Sequence, residues 1–172
     1  MKPLPTEFHR PLQVDRVPKL GSTEKLVADA KELSALARRM NLPALHALKA
    51  EIRATPWRGG GMRLEGSLVA DVEQVSVISL EPFRQSVKLP VDRYFLSPGA
   101  TAPDGEDEAD PILHGVIDLG EVVAETLALE LDPYPRKPGE TFAVHVESDA
   151  AEPEKESPFA ALAKQTKANP KE

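Results

Sequence analysis

The sequence contains no cysteine. That excludes a disulfide framework and any thiolate metal site. No apolar run approaches the roughly 18 residues that would span a bilayer as a helix. The opening MKPLPTEFHR lacks the apolar stretch of a secretory leader, so a cytoplasmic protein without membrane contact is expected. Aromatic residues are sparse, at 5% of the chain. The four histidines, His9, His46, His114 and His145, stand far apart and form neither H-x-x-x-H nor H-E-x-x-H. A metal site therefore has no local support, and no cofactor is expected. Nor is there a G-x-S-x-G elbow, and no thiol exists to act as nucleophile. The expectation is a non-enzymatic protein.

What is present fits one ordinary globular domain. The 172 residues are 41% hydrophobic and 28% charged, with 17 prolines against 10 glycines. That length suffices for a sizeable core. The net charge of −7 conceals an asymmetry: residues 1–96 hold 15 Lys/Arg against 11 Asp/Glu, whereas residues 97–172 hold 6 against 17. An acidic chain is no general nucleic-acid binder. Its mildly basic first part can still offer a local patch, and its acidic second part can attract a basic protein.

Along the chain, EFHRPLQVDRV places Phe8, Leu12 and Val14 on one parity, the pattern of a strand. Leu26, Ala30, Leu33, Ala37 and Met40 recur at three- and four-residue spacing. They predict a helix opened by Gly21-Ser22-Thr23, over about residues 23–40, and stopped by Asn41-Leu42-Pro43. ALHALKAEIRATPW alternates as a half-buried strand, followed by MRLEGSLVADVEQVSVISL and FRQSVKLPVDRYFL. Together these three predict an antiparallel meander. A change of parity from Val72 to Val75 suggests a β-bulge near Glu73-Gln74, or a strand becoming buried on both faces. Asp118 and Glu121 have the spacing of a capping box for a helix over about residues 118–130. TFAVHV reads as a short strand. Ser157-Pro158 opens a short terminal helix, FAALAKQTK, after a polar linker.

Four features compete for a functional role. Gly59-Gly60-Gly61 runs from strand to strand, without the helix and Lys-Ser/Thr of a phosphate loop, so it reads as a hairpin turn. Around it stand Arg53, Trp57, Arg58 and Arg63. Arginine with an exposed indole suits unpaired bases and phosphates, although a solvated face with Trp57 packed under the turn accounts for the same residues. The stretch 97–111 carries Asp104, Glu106, Asp107, Glu108 and Asp110 without a single base. It reads as a mobile acidic loop, not as a calcium loop, because the EF-hand spacing and closing glutamate are missing. It could shield a basic partner, and Phe159 and Leu162 on one face of the terminal helix could dock in cis or on a partner.

The order WRGGGMRLEG, VSVISLEPF, GVIDLGEVVAETLALELDPYPRKPG and SPFAALAKQTK resembles the YceD family, the large ribosomal RNA subunit accumulation proteins. The likeness is carried most specifically by Leu80-Glu81-Pro82 and by Ile117 to Glu121, and it is closest to alphaproteobacterial members. The resemblance implies a cytoplasmic ribosome-biogenesis factor acting on large-subunit ribosomal RNA or a pre-ribosomal particle. A basic large-subunit ribosomal protein is a second partner that it implies. Many members carry C-x-x-C before the LEP turn and further cysteines after the IDLGE helix. Here Ser76-Val77-Ile78-Ser79 and Pro135-Arg136-Lys137-Pro138 stand at those places. Serine does not replace a zinc thiolate, so packing alone is expected to hold these strands.

The fold class expected is therefore α+β: a twisted, partly barrel-like antiparallel sheet of about five or six strands, a common number, with two main helices and a short C-terminal helix. Residues 1–147 are expected to form one domain and 148–172 a linker with that helix, in a monomer.

Overall fold

The computed structural model describes residues 7–100 and 109–141. The chain divides into two compact units, Met1–Glu140 and Thr141–Glu172, and the description below concerns the first. The TFAVHV strand, the terminal helix and His145 fall outside the described residues, apart from Thr141 itself.

The architecture is α+β. Strands β1 (Pro11–Gln13), β2 (Ser22–Val27), β3 (Ala44–Trp57), β4 (Gly61–Val75), β5 (Pro82–Leu96), β6 (Asp110–Pro111) and β7 (Val116–Asp118) are joined by helices α1 (Ala30–Arg39) and α2 (Leu119–Glu130). Five strands form one sheet in the order β2-β3-β4-β5-β6, and β1 pairs with β7 in a second, two-stranded sheet. The main sheet is open, not closed into a barrel: β2 and β6 are its two edges. Its long strands β3, β4 and β5 form the expected antiparallel meander, while β6 runs parallel to β5.

Strict alternation makes this sheet two-faced. Leu48, Ile52, Leu64, Leu68 and Val72 point inward and are at most 1% exposed. Leu36 of α1, Val123 and Leu127 of α2, Phe8 and Ile117 join them in one core. The opposite face of the meander is left to solvent, as expected for an antiparallel sheet covered on one side.

Four local expectations are corrected. The first concerns Phe8, Leu12 and Val14: only Pro11–Gln13 is strand, and Val14–Arg16 turns as a 3-10 helix. The second concerns the helix expected from residue 23. Residues 22–27 instead pair with β3, Leu26 opposite Ala50, and α1 begins only at Ala30. The start is set by a capping box. Asp29 Oδ1 accepts from the N–H groups of Lys31 at 2.8 Å and Glu32 at 2.9 Å. Glu32 accepts from Asp29 N–H at 2.7 Å, the reciprocal satisfaction of orphan donors that fixes a helix entry.

Third, β4 has no parity change at Glu73-Gln74. Gln74 and Ser76 continue the buried face, and Val75 and Val77 are 42% and 45% exposed. The irregularity lies across the ladder in β3, between Leu45 and Ala47. The polar pair tolerates burial because it is bonded: Gln74 Oε1 accepts from Gln85 Nε2 at 2.5 Å, and Gln74 Nε2 donates to Asp132 O at 3.3 Å. Fourth, Asp118 caps α2 through Gly120 N–H at 3.1 Å, but Glu121 does not reach back. It forms a bidentate pair with Arg39, at 2.8 and 2.5 Å.

The place where cysteines were missed is held by more than packing. Ser76 hydrogen-bonds the Glu140 carboxylate and accepts from Ile78 N–H at 3.1 Å. Val77 N–H donates to Pro135 O at 2.9 Å, and Lys137 Nζ pairs with Glu81 at 3.3 Å. A polar clasp thus ties the β4–β5 turn to residues 135–140.

Candidate RNA interface at the hairpin end

Trp57 and Gly61 face each other at the end of the β3–β4 hairpin. Gly59 and Gly60 supply positive φ angles of 65° and 73°, conformations that glycine adopts without steric cost. Gly61 has an extended backbone, and a Cβ there would stand 2.3 Å from Phe95 O. The three glycines turn the chain and let β5 approach. They do not open a helix, so the phosphate-loop geometry is absent here.

Alternation places Arg53 and Trp57 on the solvent face, and the register sets Arg63 beside Thr55 on one side and Tyr94 on the other. The four residues singled out from sequence therefore lie at one end of the sheet, but in different electrostatic states. Arg63 is engaged: its Nε and Nη2 donate to Asp92 at 3.1 and 3.0 Å, and Nη2 lies 3.0 Å from Glu65. The Asp92 carboxylate, foremost, holds the guanidinium pKa above its ordinary value. Arg53 donates Nη2 to Leu20 O at 3.1 Å, a contact that leaves its charge uncompensated. Arg53 and Arg58 are exposed and pair with no carboxylate among the described residues.

Trp57 is partly buried. Its ring packs on Tyr94 at 4.8 Å between centroids, tilted by 55°, and the Arg63 guanidinium lies 5.2 Å from the Tyr94 centroid. Packing and exposure thus coexist in the indole, the geometry of an aromatic pair that also offers ring surface. Tyr94 and Asp92 were missed by sequence reasoning. Both lie on the outward parity of β5, opposite Arg63 and Glu65, and only the register reveals that they complete the group.

The other candidates do not join this group. Asp110 is paired with Arg93, and Arg93 also lies 3.6 Å from Glu125. Asp104, Glu106, Asp107, Glu108, Phe159 and Leu162 lie outside the described residues. His9 bonds Asp118 at 2.6 Å and His46 bonds Glu73 at 3.0 Å. His114 occupies a turn at φ 54°. No three metal-ligating side chains converge among the described residues, and no helix there is long and apolar enough to cross a membrane.

A family model described as "Large ribosomal RNA subunit accumulation protein YceD" matches residues 64–165. No curated protein and no solved structure matches the chain. The match takes in most of β4, all of β5 and α2, the LEP turn between the two strands and the IDLGE segment at the start of the helix, and covers more than half of the sequence: the chain belongs to the YceD family.

Proposed function

We propose that this chain supports accumulation of large-subunit ribosomal RNA as a cytoplasmic, non-enzymatic and monomeric factor that binds RNA or a pre-ribosomal particle at the hairpin end of its sheet. The family description supplies the process. The observation that carries the binding mode is the pairing pattern: Arg53 and Arg58 are exposed without a carboxylate partner among the described residues, beside the Trp57–Tyr94 pair. Uncompensated guanidinium groups take phosphates and release counterions, while aromatic faces take unpaired bases. Arg63 serves this surface as a brace for Tyr94, its own charge being compensated. Residues 1–147 are the working domain in this reading.

The test is affinity recovery of the tagged chain from lysate with and without ribonuclease, beside the variant R53E/R58E. Large-subunit RNA recovered by the parent and lost by the variant, with unchanged unfolding, is the expected result. RNA recovery indifferent to the variant would remove this surface from consideration. A basic large-subunit ribosomal protein that stays bound after ribonuclease would favour the other reading, in which the acidic residues around 104–110 shield such a protein before assembly.

A further inference from the structure

The solvent face of the main sheet carries five carboxylates among the described residues, and every one is already held. Glu51 pairs with Lys25 at 3.7 Å, Glu65 and Asp92 with Arg63 at 3.0 Å, Asp71 with Arg84, and Glu73 with His46 at 3.0 Å. These pairs consume Lys25, Arg63 and Arg84. Three cations of the same face have no carboxylate partner among the described residues: Arg53, Lys49 and Lys88.

Lys49 and Lys88 are not scattered. The register aligns Val27 with Lys49, Lys49 with Val69, and Val69 with Lys88. Four side chains from four adjacent strands thus form one row across the sheet. Its valines are 56% and 42% exposed, and both lysines are exposed. Two strand spacings put the lysine backbones about 10 Å apart, near one Debye length at ~0.1 M salt. At that separation they repel each other weakly, and each remains free to meet an anion. Along β3, the row lies eight residues from Trp57, about 27 Å away, with Arg53 midway.

We propose that a single strand of RNA starts on the hairpin end and crosses the outer sheet face over this row, with Lys49 and Lys88 on phosphates and Val27 and Val69 against ribose and base. The inference rests on the RNA-binding reading above and assigns to that site its ligand class and its far boundary. Charge complementarity selects a polyanion, since the face has surplus cations and no uncommitted carboxylate among the described residues. The aromatic pair selects unpaired bases, which a duplex keeps stacked away from protein rings. A shallow row of valines and lysines suits a chain laid flat, as single strands lie on the strands of an OB-fold, which engages roughly 4–16 nucleotides.

Fluorescence anisotropy with the full chain tests it, using a labelled single-stranded oligoribonucleotide of mixed sequence and roughly 16 nucleotides, and a duplex of the same length. The parent is expected to prefer the single strand. K49E/K88E should weaken that binding about tenfold or more and lower the log–log salt slope by about 1.4, two phosphate contacts' worth. K49A/K88A should lower the slope equally with a smaller loss, and it carries the test if the glutamate pair unfolds the sheet. Lysine variants that bind like the parent, while R53E/R58E does not, would overturn this inference and leave the RNA-binding reading standing. Preference for the duplex would overturn the single-strand assignment. A parent that binds neither probe would overturn both.

Discussion

Replacing Gly120 by alanine probes the joint that seats α2. An added Cβ would lie 1.9 Å from the Phe8 carbonyl oxygen and 2.7 Å from its carbon. Both are backbone atoms, and that backbone is pinned on each side of the contact. Phe8 is 1% exposed, Arg10 N–H donates to Asp118 Oδ1 at 2.8 Å, and Leu119 N–H donates to Arg10 O at 3.0 Å. Ordinary contact begins near 3.4 Å, so the two segments must part by about 1.5 Å. Two effects oppose each other. Alanine favours a helix interior over glycine by about 1 kcal/mol, an upper bound for this residue of the first turn. Against that stand about 2 kcal/mol of overpacking and about 1 kcal/mol for each of the two hydrogen bonds that cross the joint. The clash wins, and a net loss of about 3 kcal/mol is expected. Thermal unfolding should register it as a fall of about 10 °C in Tm for a domain of this size, with a matching drop in the urea midpoint at unchanged slope. A midpoint equal to or above the parent's would refute the reasoning, because it would show that the N-terminus of α2 slides freely past residues 8–10.

Two further tests address the polar framework. Arg10 grips Glu32 through both Nη atoms, at 2.7 and 3.0 Å, with side chains 36% and 16% exposed. A double-mutant cycle on R10A and E32A should give a coupling of about 1 kcal/mol, above an ordinary surface pair and well below a buried one; additivity within error would show the grip to be idle. The Glu140 carboxyl is held below its usual pKa of 4.5, first by the Ser76 hydroxyl, then by Ser79 and by Lys137 N–H. Its contribution to stability is complete above about pH 4.5 and is lost as pH falls through the lower folded value. E140Q should therefore flatten the acid side of a urea-midpoint-against-pH curve without abolishing it, since Asp29, Glu32 and Asp71 are depressed as well. An acid limb as steep as the parent's would show that the clasp is not formed in solution.

The meander was legible because period-two alternation persists through strands of 14, 15 and 15 residues, longer than chance patterns survive. The shorter pieces were misread for identifiable reasons. Leu26 and Ala30 have helical spacing, yet a strand ends and a helix begins between them, and the deciding Asp29–Glu32 box is a local signal that the apolar stripe masked. Buried Gln74 and Ser76 counted as solvent residues in the pattern, which displaced the expected bulge from β3 to β4. Glu121 had the spacing of a cap but found Arg39, 82 residues away, first. Local chemistry proposes such partners, and tertiary geometry chooses among them.

The same distinction governs the candidate interface. From sequence, Arg53, Arg58 and Arg63 are equivalent cations around one turn. Asp92, 29 residues beyond Arg63, makes them unequal. The matched family stretch begins at residue 64, and so separates Arg53 and Arg58 from Tyr94, Asp92 and Lys88. That boundary is not a physical one. Leu64 and Leu68 of β4 share a core with Ile52 and Leu48 of β3. At Gly66 a Cβ would lie 2.0 Å from Glu51 O, a closeness that only glycine permits between these two strands. The register it protects sets Lys49 against Val69 and Thr55 against Arg63. Residues before 64 therefore cannot shift against those after it without breaking the core, and the cations of β3 are fixed relative to the aromatic and basic residues of β5 as parts of one rigid face.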